Sequence, residues 1–290
     1  MPALFVLLWS TGFVGAKFGL PYAEPFTFLL WRFVIVTLLL LAAALALRAP
    51  WPASRVEFGH IAIAGVLVHA GYLGGVFSAI HHGVSAGEMA LIAGLQPVLT
   101  AGIAGPVLGE RVTARQWAGF VLGFLGVALV VEGHIAPVGS GMVGYLAAFV
   151  ALVSITAGTL YQKRFCSHMD LRSGAVIQFT ASALLMAVLA PLTENMVVIW
   201  SGEFIFSLTW LVLVLSLGAI SLLYILIRHG EAARVTSMFY LVPPVTALMA
   251  YALFGERLSV AALAGMGLVV AGVALVVVRT RQPPRSRQKG

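Results

Sequence analysis

An all-α, polytopic membrane protein with ten transmembrane helices in two inverted five-helix repeats is the fold that this sequence predicts. Three observations lead to it. The 290 residues are 61% hydrophobic and only 9% charged, with a mean hydropathy of +1.03. A soluble domain carries roughly 25% charged residues, so there is too little polar surface here to cover a globule in water. Runs of about 20 apolar residues alternate with short polar breaks, which is the length a helix needs to cross lipid. Finally, one block occurs twice: Leu108-Gly109-Glu110-Arg111-Val112-Thr113, and 146 residues later Phe254-Gly255-Glu256-Arg257-Leu258-Ser259.

Lipid admits only helices and closed barrels, because every backbone polar group must find an internal partner. Unbroken apolar runs without strict alternation select helices. These are predicted over 3–19, 25–47, 58–81, 86–107, 114–132, 141–164, 172–192, 206–228, 233–254 and 260–279. Pro21 and Pro25 bracket the first break, and Pro50 and Pro52 mark the second. Thr113 with Gln116 has capping-box spacing ahead of the fifth helix, and Ser259 is placed to cap the tenth. Gly109 and Gly255 suit the position just past a helix C-terminus.

The doubling extends beyond the block. Between Leu95 and Val131, 17 of 37 positions are identical to those 146 residues on, including Pro97, Thr100, Gly119 and Gly126. The same offset carries Gly12 to Gly158 and Lys17 to Lys163. Each unit thus holds five helices, and an odd number inverts the second copy. The repeats are assigned to residues 1–137 and 138–279, followed by a basic tail, 280–290. Of 17 Lys and Arg residues, 14 fall on the side of both termini and only Lys17 and Arg257 on the other, with Arg32 inside the second helix. By the positive-inside rule both termini are cytoplasmic, in a bacterial cytoplasmic (inner) membrane. Gly109-Glu110-Arg111 then faces inward and Gly255-Glu256-Arg257 outward. This is the architecture in which a central site opens alternately to either face.

Several function classes recede. The net charge of +7 includes five basic residues clustered after Val278, a placement suited to anionic headgroups and not to nucleic acid. A lone cysteine, Cys166, allows no internal disulfide and no metal site. The first 16 residues lack the basic start of a signal peptide and are read as a mature helix. No His-Glu-x-x-His and no intramembrane Asp pair occurs, so no enzyme, cofactor or metal is expected.

Ionisable residues at membrane depth are costly and point to function. Arg32 lies about 10 Å below the outer surface at 1.5 Å per residue, where it suits a carboxylate or other anionic group. A fixed pair with Glu88 is its structural alternative. Glu88 opens the fourth helix and is a candidate partner for Arg32 or for a proton. Lys17 and Lys163 are equivalent ends on opposite faces, read as gate or interface charges. Trp9, His69, Tyr72, Gln96, Tyr224 and Tyr240 form the polar and aromatic midplane set, with Gln96 beside the carbonyl that Pro97 leaves free. Each also suits a simple interhelical hydrogen bond.

The sequence resembles the drug/metabolite transporter superfamily, and within it the EamA-type ten-helix carriers. The resemblance rests on Leu8-Trp9-Ser10-Thr11-Gly12-Phe13-Val14-Gly15-Ala16-Lys17, on Pro25 followed by Trp31-Arg32-Phe33, and on the doubled Pro…Gly-Glu-Arg…Gly pattern. The second half departs from the first, with Ile155 at the place of Trp9 and Gln178 at that of Arg32. The resemblance implies an alternating-access secondary transporter exporting small organic solutes such as amino acids or amphipathic metabolites. The expected partners are the solute and the bilayer, in a monomer or homodimer. A proton-coupled small multidrug exporter of cations is the alternative, ahead of a membrane enzyme or scramblase.

Overall fold

The computed structural model describes residues 2–100, 103, 113–132, 140–219, 241–256 and 259–277. Ten helical elements run through them: α1 (Pro2–Gly19), α2 (Pro25–Ala46), α3 (Arg55–His81), α4 (Ala86–Ala93), α5 (Ala114–Glu132), α6 (Ser140–Phe165), α7 (Leu171–Thr193), α8 (Gly202–Thr209), α9 (Val242–Phe254) and α10 (Val260–Val277). Among the described residues there is no strand, only an isolated bridge between Ala23 and Val198. The fold is all-α, as its apolar runs require. Four helices are long and apolar enough to cross a membrane by length and composition: Pro25–Ala46, Arg55–His81, Met142–Phe165 and Leu171–Thr193. Their outward faces carry exposed apolar side chains such as Leu38, Leu45, Leu184 and Leu192, which only a lipid environment accommodates at this density.

The helix starts follow local chemistry. Pro25 stands at the first turn of α2, where its missing N–H costs nothing. Ser54, Ser85 and Ser201 accept backbone N–H groups at the starts of α3, α4 and α8. Ser259 does the same for α10, accepting from the Ala262 amide at 3.0 Å. Gly255 ends α9 in the left-handed region (φ 67°), the conformation glycine adopts without a Cβ penalty. Gly109, Glu110 and Arg111 of the first block lie outside the described residues.

Asp170 caps α7 through the Arg172 and Ser173 amides and pairs with the Arg172 guanidinium. The Arg172 hydrogen bond holds its carboxyl below the usual carboxylate range. Because the folded-state pKa is the lower one, the stabilisation is complete above the unfolded value and is lost as pH falls through the folded value. Asp170→Asn should therefore melt slightly below the parent chain at neutral pH. Melting curves in detergent should converge as pH drops below about 4, the ordinary carboxylate range.

Two helices depart from simple runs. The predicted fourth helix is broken at Gly94–Leu95 and resumes over 96–100. Pro97 has no N–H for the Ala93 carbonyl, and its ring crowds that carbonyl, so the α-helical ladder cannot continue. α3 contains a π-helical stretch, Val66–Gly71, and α8 runs into another, Trp210–Ala219. The repeat offset carries 66–71 onto 212–217, so the two wide turns occupy equivalent places in the two halves.

The packing follows the repeat. α2 and α7 begin 146 residues apart and pack together, as do α5 and α10. Each pair runs antiparallel. Glu194, after α7, accepts from the Phe26 and Thr27 amides at the start of α2, both at 2.7 Å. Arg172, at the start of α7, reaches the Leu47 carbonyl just past the end of α2. On the other seam, a Cβ on Gly126 would lie 2.6 Å from the Gly265 carbonyl oxygen, and one on Gly272 would lie 2.6 Å from that of Gly119. Gly265 and Gly272 are the repeat equivalents of Gly119 and Gly126. The contact is thus exchanged between equivalent positions, as across a two-fold axis. α1 packs on the wide turn after α8, and α6 packs on the wide turn within α3, so each half covers the wide turn of the other.

Candidate functional site

A cavity of about 120 Å³ lies between α1, α2, α3, α6, α7 and the π stretch that follows α8, and so draws on both halves. Arg32 enters it from α2 and is only 4% exposed. The eight residues from Pro25 to Arg32 place the guanidinium two turns below the helix start. Its Nη2 donates to Ser216 Oγ at 3.2 Å, while its buried Nε has no partner among the described residues. An unsatisfied buried donor on a cation is costly, and an anion in the cavity would satisfy it.

The two wide turns deliver the other lining groups. In α3 the π stretch and the turn after it bring Val68, His69 and Tyr72 to the cavity, and the stretch after α8 brings Leu215 and Ser216. Ser216 Oγ donates to the carbonyl of Leu211, five residues back, at 3.1 Å, which ties the serine to the widened turn. The His69 ring stacks on Phe179 with centroids 4.0 Å apart and planes at 20°. Trp9 and Phe13 close the α1 side. Gly12 lets Leu215 approach, since a Cβ there would sit 2.7 Å from the leucine Cδ2. The result is an apolar, aromatic chamber with one cation and a few neutral polar groups, the general form of a small-molecule site.

Of the sequence-predicted residues, the structure brings together Trp9, Arg32, His69 and Tyr72. Glu88 and Gln96 are not among the lining residues. Glu88 is held in a capping box with Ser85 at the start of α4, accepting from the Ser85 amide at 3.0 Å; the partner of Arg32 is Ser216. Gln96 donates to Thr159 Oγ1 at 3.0 Å, joining the α4 region to α6. Tyr224 and Tyr240 lie outside the described residues. Ser216, Phe179 and the wide turns are the contributions that sequence reasoning missed. A serine inside an apolar run is the one visible trace of the first of them.

Lys17, in the last turn of α1, forms an ion pair with Glu256 and stands 5.2 Å from the centre of the Phe254 ring. The same carboxylate accepts from the Ala86 amide at 3.2 Å, at the start of α4. One residue of the second Gly-Glu-Arg block thus ties together the ends of α1, α4 and α9. Sequence reading took that block for a helix-end turn; the glutamate adds a three-helix tie to it. Lys163 occupies the last turn of α6. Cys166 follows α6, and burial together with the nearby Glu57 pushes its thiol up, away from nucleophilic use.

The EamA-like transporter family matches the chain over residues 2–132 and again over 142–278. The chain belongs to this family. An uncharacterized transporter of Bacillus subtilis, YvbV, is 28% identical over 96% of this chain and 91% of its own length. A probable amino-acid metabolite efflux pump of Salmonella typhimurium is 27% identical over 99% and 97%. A probable terminal-alkyne amino-acid exporter of Streptantibioticus cattleyicolor is 27% identical over 96% and 92%. A solved crystal structure at 24% identity, covering 94% of both chains with a TM-score of 0.64, shares the fold. This EamA-like protein is a multi-pass membrane transporter of small solutes, not an enzyme.

Proposed function

We propose that the protein is an alternating-access exporter of small organic solutes that carry a carboxylate, amino acids and amphipathic metabolites among them, across a bacterial cytoplasmic membrane with both termini inside. The observation that carries this reading is Arg32, buried, with an unpartnered Nε, in a chamber built from both halves. The antiparallel packing of equivalent helices supports the inverted repeat on which alternating access depends. The names of the efflux-pump and exporter relatives support the direction and the solute class. A cation exporter would place a carboxylate in the chamber, and none lines it among the described residues. The test is counterflow by purified protein in liposomes, with a panel of amino acids and their carboxylate-free amides. Exchange of the acids but not the amides is expected; equal exchange of both would sink the carboxylate assignment.

In this conformation the tie among Lys17, Glu256 and the Ala86 amide closes the outer end. By the repeat offset Lys17 corresponds to Lys163 and Glu256 to Glu110, and opening outward breaks the Lys17–Glu256 pair. Lys17→Glu sets two acids side by side. Transport should fall by at least about tenfold, since like charges in contact cost more than the ~1.4 kcal/mol that a factor of ten represents. The swap Lys17→Glu with Glu256→Lys should restore most of it. No rescue in the swapped protein would show that the pair is not a gate.

A further inference from the structure

In this reading the chamber recognises an acid, and among the described residues it presents no acid to an amine. The chain has ten acidic residues, and none of those described lines the cavity. Glu88 is spent on its capping box, Glu194 on the start of α2 and Glu256 on Lys17. Of the remaining described acids, Glu24 and Asp170 stand at helix caps and Glu57 and Glu203 in the first turns of α3 and α8, and none lines the cavity. Glu110 and Glu231 belong by sequence to the charged segments between apolar runs, and Glu132 ends α5, an element that does not reach the cavity. The repeat does not supply an acid either, since the position equivalent to Arg32 is Gln178.

A zwitterion seated with its carboxylate on Arg32 would hold its ammonium a few ångströms from the same guanidinium. Among the described lining residues no acidic side chain stands ready to receive it. Among the described lining residues His69, stacked on Phe179, is the only other basic group, and it gives a cation no compensation. Bringing an unpaired ammonium out of water into an apolar chamber is strongly unfavourable. The volume narrows the cargo further. A dry cavity of about 150 Å³ accepts benzene, so about 120 Å³ suits a body no larger than a short branched alkyl group.

From these observations we infer that the preferred cargo is a compact amphipathic monocarboxylate without an α-ammonium group. A deaminated or otherwise amine-free acid of the size of leucine is the type. This rests on the carboxylate reading of Arg32 given above, and names within it the class of acid selected.

The test is isothermal titration calorimetry on the purified full-length chain in detergent at pH 8, where the acids are ionised. The probes are 4-methylpentanoate, leucine and 4-methylpentanamide. 4-Methylpentanoate should bind at least about tenfold more tightly than leucine, a difference of one tenfold step in affinity. It should exceed 4-methylpentanamide by at least the same factor. An advantage over leucine smaller than tenfold overturns the inference and leaves the carboxylate reading standing. An amide that binds as tightly as the acid overturns the carboxylate reading itself. Arg32→Gln, which copies the residue already present at the equivalent position of the second half, should erase the preference for acid over amide. Arg32→Lys should retain it in weakened form, which separates loss of charge from loss of fold.

Discussion

Arg32→Gln should reduce carboxylate transport by about two orders of magnitude while leaving the protein folded. Removing one partner of a buried, charge-assisted contact costs ~2–5 kcal/mol, and a factor of a hundred corresponds to about 2.8 kcal/mol. The fold should tolerate the change for two reasons. Among the described residues the guanidinium makes one hydrogen bond, to Ser216, and its Nε makes none, so the amide of Gln gives up little. A buried, uncompensated cation is itself costly, and its removal relieves that cost. Initial rates in proteoliposomes, set beside melting temperatures of the same preparations, check the prediction. A variant that transports normally would remove Arg32 from the mechanism; one that fails to fold would make it a structural residue.

The second large effect is expected on the seam between α5 and α10. At Gly126 and at Gly272 an added Cβ would meet a backbone carbonyl of the facing helix at 2.6 Å. Backbone cannot step aside as a flexible side chain can, so the helices must separate. Overpacking typically costs 1–3 kcal/mol, and chains somewhat shorter than this one lose about 2–4 °C in Tm per kcal/mol. Gly126→Val and Gly272→Val should each lower Tm by roughly 5 °C. The exchanged geometry makes a sharper demand: the two losses should be similar, although one lies in each half of the chain. Gly267, on the same α10 but with open space at its Cβ, should accept alanine with little change. Thermal melts of the three purified variants decide the matter.

Much of this was legible in the sequence, and the parts that were not share a physical cause. Helix number and most starts follow from local signals, such as Pro25 at the first turn of α2 and glycine at position 255. The halves are readable because the Gly-Glu-Arg block and the glycines of α5 recur in α10. Arg32 stands out because a cation in an apolar run is rare. The π stretches left no signal, because a widened turn is set by what packs against it: α6 against the stretch in α3, and α1 against the one after α8. The Lys17–Glu256 pair joins residues 239 positions apart, which no local pattern reports. Glu88 is a different case. The spacing Ser85-x-x-Glu88 is a capping signature, and its place at the start of an apolar run suits a carboxylate at a helix N-terminus, which is the contact found.

The glycine seam also fixes a frame of reference. Helices in such close backbone contact have no slack in which to slide or roll, so α5 and α10 should keep their mutual geometry whatever moves elsewhere in the chain. Spin labels on exposed positions of these two helices, Val121 and Leu263 for example, should report one unchanging distance with and without cargo. A third label near Lys17 then measures any movement at that end of α1 against a fixed ruler within the same molecule.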